Sequence, residues 1–480
     1  MNMLLIVQLL ALHRRLRQRD SWTREQLSAH QAASLQRLRA HAYANSPFFQ
    51  RFHAGLHAAP LRELPVLTKA QVMEHFDELA TDRRIRRVDI ERHVSNLRKD
   101  ERCLDRYWVT ATSGSTGRRG LFLFDRSAWL GVLATFARAH DWTGMRAGLG
   151  HRMRTAEIAS STPWHMSARV GSVLRAWQPT LRLDAGQRPE ELAARIDAWQ
   201  PDVLVAYPSI ARALAEAQTA GTLDVAPRAI FTSAELLTDE TRRVIEGAWG
   251  ERVFNQYAAT ETGNIAGECE QHAGLHVIED LMILEVVDGD NRPVAPGTYG
   301  DKLLATVLFN RSQPLIRYEL SDRVRLAAAP CSCGRPYVLI DGIEGRAEEV
   351  LRFAGARGGE VAVNPHVFHR VMDAAPVRGW QVVQESDRLD VLLSGGRDDG
   401  VNAALTVCLT SASMKQVRSS SAGRSGTIRR WCTPGPRAGI SSTALWIAGA
   451  SRAPYLPIPF RSNRLGLRPE PSLSPRRVPP

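Results

Sequence analysis

The sequence predicts an α/β fold in which a large domain, built from parallel βαβ units and a strand-rich subdomain, is followed by a small α+β cap. Three observations support this. From Tyr107 onward, apolar runs such as Val203–Tyr207 and Ala229–Thr232 alternate with helical stretches such as Ile210–Ala220, which is typical of a parallel sheet. After Glu279 the chain becomes strand-rich. The 480 residues, 44% hydrophobic, suffice for one large core and a smaller one.

Four segments follow one another along the chain. Residues 1–100 carry helical spacing of apolar residues and predict a helical lead-in to the large domain, whose core occupies residues 101–344. Residues 345–410 predict a partial cap with a strand, helix, strand, strand pattern. Residues 411–480 hold ten of the chain's 26 prolines, with runs of Ser and Arg and almost no periodic apolar pattern, so we expect disorder there.

The formal net charge of +12 is concentrated in the tail. Residues 411–480 contain twelve Lys and Arg against one acid, a net +11, which leaves +1 for the first 410 residues. A nearly neutral body gives little reason to expect a nucleic-acid partner, and binding through the basic tail alone is the remaining alternative.

Cysteine usage and the amino terminus bear on localisation. Six unevenly spaced cysteines are too few for a secreted disulfide scaffold, which favours a reducing compartment, the cytoplasm. The apolar run Met3–Leu12 is too short to span a bilayer, and its basic residues follow it. We expect the first turns of a packed helix there, with a membrane-surface helix as the alternative. No integral membrane span is expected, and a homodimer is left open.

A glycine-rich loop between two apolar strands is the strongest chemical signal. Glycines let a backbone approach a polyphosphate, while hydroxyls and exposed N–H groups donate hydrogen bonds to its oxygens. The spacing differs from the Gly-x4-Gly-Lys-Ser/Thr loop of the P-loop NTPases, and a plain Gly/Ser-rich hairpin is the alternative. The loop consists of Thr112, Ser113, Gly114, Ser115, Thr116 and Gly117.

This loop and the basic residues after it resemble the phosphate loop of the adenylate-forming (AMP-dependent synthetase) ligases. Four further segments resemble that family's motifs in the family's order: Phe231-Thr232-Ser233-Ala234-Glu235, Gln256-Tyr257-Ala258-Ala259-Thr260-Glu261, Arg317-Tyr318-Glu319-Leu320-Ser321-Asp322 and Gly345-Arg346-Ala347-Glu348-Glu349. The resemblance covers about Leu35 to Ser394. The segment Pro65-Val66-Leu67-Thr68-Lys69 is similar to the phenylacetate–coenzyme A ligase branch.

The resemblance implies a function. A member of this family activates a small carboxylic acid, aryl acids among them, with ATP and Mg²⁺ to an acyl-adenylate and then passes the acyl group to coenzyme A. Attack of a carboxylate on the α-phosphate depends mainly on positioning and on neutralising phosphate charge.

The resemblance also implies roles for single residues. Glu261 would hold Mg²⁺, a hard cation that prefers carboxylate oxygen, and Thr260 would bind phosphate oxygens together with the Thr112–Gly117 loop. Tyr257 would pack against the adenine, and Asp322 would accept both ribose hydroxyls. Arg346 would lie where the linker meets the nucleotide. The adenine-contacting strand end would be formed by Ser233, Ala234 and Glu235.

The chain departs mildly from the family pattern. Ala258 replaces a glycine after the aromatic residue, and Glu348 and Glu349 replace an Asp pair at the hinge. The acyl pocket has no motif of its own. Candidates by neighbourhood to the motifs are Trp142, Trp164, His165, Tyr207 and Ala259.

A lysine expected from the resemblance is missing. In the family, the small C-terminal domain carries a Gly-Lys segment near its end, whereas only Lys415 follows Leu409 here, too early for that loop. We therefore expect a truncated cap and a chain that binds ATP but adenylates poorly. The change in composition is typical of a shifted reading frame or of a genuine extension. A catalytically weak nucleotide-binding descendant and transfer to an acceptor other than coenzyme A are the alternatives.

Cysteine and histidine residues form a second constellation. Cys269 is followed by His272 and His276, and Cys331 and Cys333 lie one residue apart. Two thiolates, a distant Cys and one His would give a tetrahedral structural Zn²⁺ site, such as some relatives in this branch carry. Buried free cysteines are the alternative, and the spacing does not decide between the two histidines.

Overall fold

The computed structural model of this chain describes residues 3–112, 119–145, 153–174 and 178–346, together with the backbone of seven further strands between residues 351 and 445. Its fold is α/β, as the sequence predicts, with one large mixed sheet at the centre.

The described helices fill much of the first hundred residues and then alternate with strands. They are α1 (Met3–Gln18), α2 (Arg24–Asn45), α3 (Pro47–Phe52), α4 (Lys69–Glu74), α5 (Phe76–Leu79), α6 (Arg87–Asn96), α7 (Arg126–Asp141), α8 (Met166–Leu174), α9 (Pro189–Trp199), α10 (Pro208–Thr219) and α11 (Asp239–Trp249). Helices α2 and α4 begin with capping boxes, in which Thr23 and Thr68 exchange hydrogen bonds with a glutamine three residues on. None of the described helices is long and apolar enough to cross a membrane.

The strands up to residue 346 supply the sheets of the large domain. They are β1 (Trp108–Ala111), β2 (Leu121–Phe124), β3 (Thr155–Ala159), β4 (Thr180–Asp184), β5 (Val203–Ala206), β6 (Ala229–Thr232), β7 (Val253–Ala259), β8 (Gly263–Glu268), β9 (Leu275–Val277), β10 (Met282–Val287), β11 (Lys302–Val307), β12 (Tyr318–Leu320), β13 (Asp322–Leu326) and β14 (Leu339–Arg346).

The central sheet has nine strands in the order β13-β14-β9-β8-β7-β6-β5-β3-β4. Strands β4, β3, β5, β6 and β7 run parallel, and the remaining neighbours are antiparallel. The apolar residues of β5 and β6 are nearly all buried, as expected for parallel strands covered on both faces. Because the carboxyl ends of parallel strands open at one edge, Ser160, Tyr207 and Ser233 meet where such sheets bind ligands.

Two smaller antiparallel sheets join the N-terminal helices in the main core. Strands β1 and β2 form a hairpin in which Ala111 pairs with Leu121 on either side of the glycine-rich loop. Strands β10, β11 and β12 form the second sheet. Aromatic side chains from all these parts, including Phe49, Trp129 and Tyr318, share the core.

Beyond residue 346 the structure describes backbone strands alone. They are β15 (Leu351–Ala354), β16 (Glu360–Val363), β17 (Val377–Gln384), β18 (Arg388–Gly396), β19 (Arg418–Ala422), β20 (Thr427–Cys432) and β21 (Thr443–Leu445). The last five form one sheet in the order β19-β20-β18-β17-β21. The helix predicted for the cap falls on residues outside the described ones. Strands β19, β20 and β21 lie in the stretch after residue 411, for which disorder stays a prediction.

Candidate active site

The glycine-rich loop is closed at its base by its own threonine. The Thr112 N–H donates to the Gly120 carbonyl at 3.0 Å, and the Gly120 N–H donates to Thr112 Oγ1 at 2.8 Å. Ser113, Gly114, Ser115, Thr116 and Gly117 lie outside the described residues. Lys69 Cε lies 3.0 Å from where a Cβ on Gly120 would stand, so this lysine, to which the sequence assigned no role, borders the loop. The sequence feature that could have drawn attention to Lys69 is the scarcity of lysine, because the chain has only four lysines.

The turn between β7 and β8 carries Thr260 and Glu261 to the same place. Gly263 has a φ of +79°, a conformation that favours glycine and allows the tight reversal. Thr110 Oγ1, at the approach to the loop, donates to the Thr260 carbonyl at 3.1 Å. Tyr318 donates its hydroxyl hydrogen to Glu261 Oε1 at 3.3 Å, and Glu261 is 8% exposed. The structure therefore brings the Thr260–Glu261 turn beside both β1, the strand that leads into the loop, and the Arg317–Asp322 segment.

Tyr257 and Asp322 meet directly. The Tyr257 hydroxyl donates to Asp322 Oδ2 at 2.6 Å, although 65 positions separate them. Asp322 begins β13, and its backbone pairs with Arg346 on β14. Three motifs thus converge on one edge, while the Arg346 side chain, Glu348 and Glu349 lie outside the described residues.

The Ser233-Ala234-Glu235 segment turns sharply at the end of β6. Ala234 has a φ of +70°, which costs a non-glycine residue free energy, and such strain is characteristic of ligand-contacting loops. Glu235 Oε2 accepts a hydrogen bond from the Ser209 N–H at 3.1 Å. Since Ser209 lies in the first turn of α10, the positive end of that helix stabilises the carboxylate and holds the segment.

Three of the five proposed pocket residues cluster at the carboxyl edge. His165 Nδ1 lies 2.8 Å from Ser160 Oγ, and the Ser160 N–H donates to the Tyr207 hydroxyl at 2.9 Å. The Arg119 guanidinium lies 4.9 Å from the centre of the Trp164 ring. Burial, with the Arg119 charge, lowers the pKa of His165, so its imidazole is neutral at pH 7.

Trp142 and Ala259 stand apart from that cluster. Trp142 is fully buried elsewhere, which corrects its assignment to the pocket. Its indole Nε1 donates to Asp20 at 3.2 Å, and its ring lies 5.5 Å from Tyr337, because α7 ends against the amino-terminal segment. Ala259 ends β7, directly before Thr260.

The Cys/His constellation forms a compact group. One ligand atom from each member lies within 4.8 Å of the others: Cys269, His276, Cys331 and Cys333. Cys269 Sγ lies 3.8 Å from Cys331 Sγ, and Cys333 Sγ lies 3.3 Å from His276 Nε2. His272 lies outside this group and stacks on Phe254, with ring centroids 4.8 Å apart.

Comparison with known proteins first identifies the fold. No family model matches the chain. The solved structure of a 2-hydroxyisobutyryl-CoA ligase, in the postadenylation state with R3-HIB-AMP, shares the fold with a TM-score of 0.63, at 20% identity over 82% of this chain and 84% of that one. The fold is therefore that of the adenylate-forming ligases.

In sequence the chain is similar to a phenylacetate–coenzyme A ligase. It is 27% identical to the Thermus thermophilus enzyme of that name over 389 residues, covering 76% of this chain and 79% of the relative. It is also 23% identical over 360 residues to Protein CapK of Staphylococcus aureus, covering 72% of this chain and 71% of that protein.

Proposed function

We propose that this protein uses ATP to convert a small carboxylic acid, aryl acids among them, into an acyl-adenylate and then transfers the acyl group to coenzyme A. One observation carries the proposal: two tyrosine–carboxylate hydrogen bonds, Tyr318 to Glu261 and Tyr257 to Asp322, bring the carboxylates suited to metal and ribose to one edge. The homology to a coenzyme A ligase supports the reaction class.

The proposed roles follow from chemistry and position. Glu261 would hold Mg²⁺ through carboxylate oxygen, next to the loop that would bind the phosphates with Thr112 and Thr260. Tyr257 would pack on the adenine beside the strained Ser233–Glu235 turn, and Asp322 would bind the ribose. What these residues contribute is alignment of the acid with the α-phosphate and charge neutralisation there.

A change of pose by the cap is part of the proposal. Gly345, at the boundary proposed between core and cap, has a φ of +89°, and no atom of the described residues lies within 4 Å of where a Cβ would stand. A glycine in this conformation suits a hinge, about which a cap could turn between adenylation and thioester formation.

Acid-dependent exchange of labelled pyrophosphate into ATP tests the function. Exchange with a panel of aryl and short aliphatic acids, followed by thioester formation when coenzyme A is added, is the expected result. Adenylation without thioester formation would favour another acceptor. ATP binding without exchange for any acid would favour the catalytically weak descendant, for which the missing Gly-Lys segment is the motivating feature.

We also propose that the four-residue cluster binds one structural Zn²⁺. Two thiolates at the usual 2.3 Å from a tetrahedral zinc stand about 3.8 Å apart, which is the spacing of Cys269 and Cys331. The Nε2 atom of His276 faces Cys333 Sγ at 3.3 Å. The donor set and its spacing thus fit zinc. Such an ion would tie the segment after Glu261 to the strand-rich region.

Metal analysis of the purified protein tests whether the four-residue cluster binds zinc. Protein purified without chelator is expected to hold about one zinc per chain, and Cys331→Ser to hold far less and unfold at lower temperature. Cys103→Ser, which alters a buried cysteine outside the cluster, should keep its zinc. Zinc-free wild-type protein would contradict the site.

A further inference from the structure

The side-chain amide nitrogen of one buried glutamine near the carboxyl edge has no hydrogen-bond partner among the described residues. Gln256 precedes Tyr257 on β7 and is 6% exposed, and its Nε2 atom contacts no acceptor in the described structure. Buried donors in folded proteins are nearly always paired, so this one points to a function. Its neighbour Tyr257 projects to the opposite face of the strand and bonds Asp322, so Gln256 faces away from the proposed nucleotide site.

Strand register identifies the surroundings of Gln256. Side chains alternate along a strand, so Gln256 shares a face with Phe254, and Phe254 is paired in register with Phe231 of β6. On the other side, Gln256 pairs with Gly267 of β8. A Cβ on Gly267 would stand 2.8 Å from Ala139 Cβ, which shows that the end of α7 covers this face.

The walls of this region are flat and apolar. His140, the residue after Ala139, stacks on Phe231 with ring centroids 3.9 Å apart and an angle of 18°. Burial lowers the pKa of His140 to about 4, so the ring is uncharged at pH 7. Towards the carboxyl edge, Tyr207 and Ser233 are half-buried.

We propose that this region receives the organic part of the acid substrate, and that Gln256 selects acids carrying a hydrogen-bond acceptor such as a hydroxyl, ether or carbonyl oxygen. Aromatic walls with one fixed donor are the usual composition of a small-molecule pocket that accepts an aryl or branched frame and distinguishes a polar substituent. The inference rests on the proposed function. It adds that the acid carries a hydrogen-bond acceptor and that Gln256 is the residue that binds this acceptor.

Calorimetric binding of matched acids tests the selectivity. The pairs are phenylacetate with 4-hydroxyphenylacetate, benzoate with 4-hydroxybenzoate, and isobutyrate with 2-hydroxyisobutyrate. At least one hydroxylated acid should bind the full chain about tenfold more tightly than its parent, the effect of one well-placed hydrogen bond. Gln256→Leu should bind both members of that pair alike, and Gln256→Met, with an unbranched side chain, provides a second variant.

Gln313→Leu is the matched control. Gln313 is also buried, but its amide is paired at both ends, accepting from the Leu123 N–H at 2.9 Å and donating to the Leu121 carbonyl at 3.3 Å. This variant should lose stability and keep the selectivity, whereas Gln256→Leu should lose selectivity without losing stability.

Three outcomes would overturn the inference: equal binding of every pair by the wild type, selectivity retained in both Gln256 variants, or no binding of any acid. Failure of the proposed function looks different. Selective binding without acid-dependent pyrophosphate exchange would contradict adenylation but support the role of Gln256. Pyrophosphate exchange without selectivity would support adenylation but contradict the role of Gln256.

Discussion

At the scale of single residues, sequence motifs predict which chemical group a position supplies, but they predict poorly which residues will surround it. Tyr257 and Glu261 come from one motif and Tyr318 and Asp322 from another, and two hydrogen bonds, Tyr257 to Asp322 and Tyr318 to Glu261, join the two motifs. Trp142 lies near the motifs in sequence, yet Asp20 and Tyr337 draw its ring into another core. Sequence spacing carries no information about such long-range partners.

Glu261 gives a sharp prediction at this scale. Glu261→Gln removes one negative charge but keeps an oxygen that can accept from Tyr318, so the fold should survive. Acid-dependent pyrophosphate exchange should fall by about 10²–10³, the usual cost of losing one preorganised electrostatic group. Glu251→Gln, at an exposed position, is the control. Undiminished exchange in Glu261→Gln would remove this residue from the proposed metal site.

At the scale of elements, the β7–β8 hairpin is held against α7. Gly263 lies beneath the helix, where an added Cβ would stand 3.1 Å from Thr135 Oγ1, and Gly267 lies beneath Ala139. The sequence predicts these strands and this helix from apolar patterns, but it cannot show that two glycines set their separation. Close backbone approach depends on the partner element, which periodicity does not identify.

This packing predicts opposite effects of alanine at two glycines. Gly267→Ala places a methyl group 2.8 Å from Ala139 Cβ and should lower the free energy of unfolding by about 1–3 kcal/mol. Gly247→Ala, at an exposed position in α11 with nothing within 4 Å, should raise it by about 0.5–1 kcal/mol. Urea unfolding measures both. If both substitutions changed the free energy of unfolding equally and in the same direction, close packing of α7 against β8 would be contradicted.

At the scale of the whole molecule, the sequence predicts the α/β class and the order of helices and strands. The nine-stranded order of the central sheet, with its change from parallel to antiparallel at β7, follows from long-range pairing that no local pattern encodes.

The stability of the whole molecule should depend on pH through His53. This residue is 0% exposed, and neither ring nitrogen has a hydrogen-bond partner in the part of the chain that the structure describes. Its ring packs against Tyr43, Phe49 and Phe52 at the end of α3. Burial, with the charge of Arg39 and then His57, lowers its pKa from 6.5 to about 4. The folded protein therefore holds this imidazole neutral, whereas the unfolded chain takes up a proton at pH values below about 6.5.

Because the unfolded state binds the extra proton, the His53 contribution to stability is complete above pH 6.5 and declines as the pH falls towards 4. The loss should be on the order of 2 kcal/mol, and it should disappear in His53→Phe, whose ring suits the aromatic surroundings and does not titrate. Urea unfolding of both proteins at pH 7.5 and 5.0 measures the difference, and comparing the two proteins cancels the contributions of other histidines. An equal loss in wild type and His53→Phe would show that protonation of His53 does not limit stability in acid.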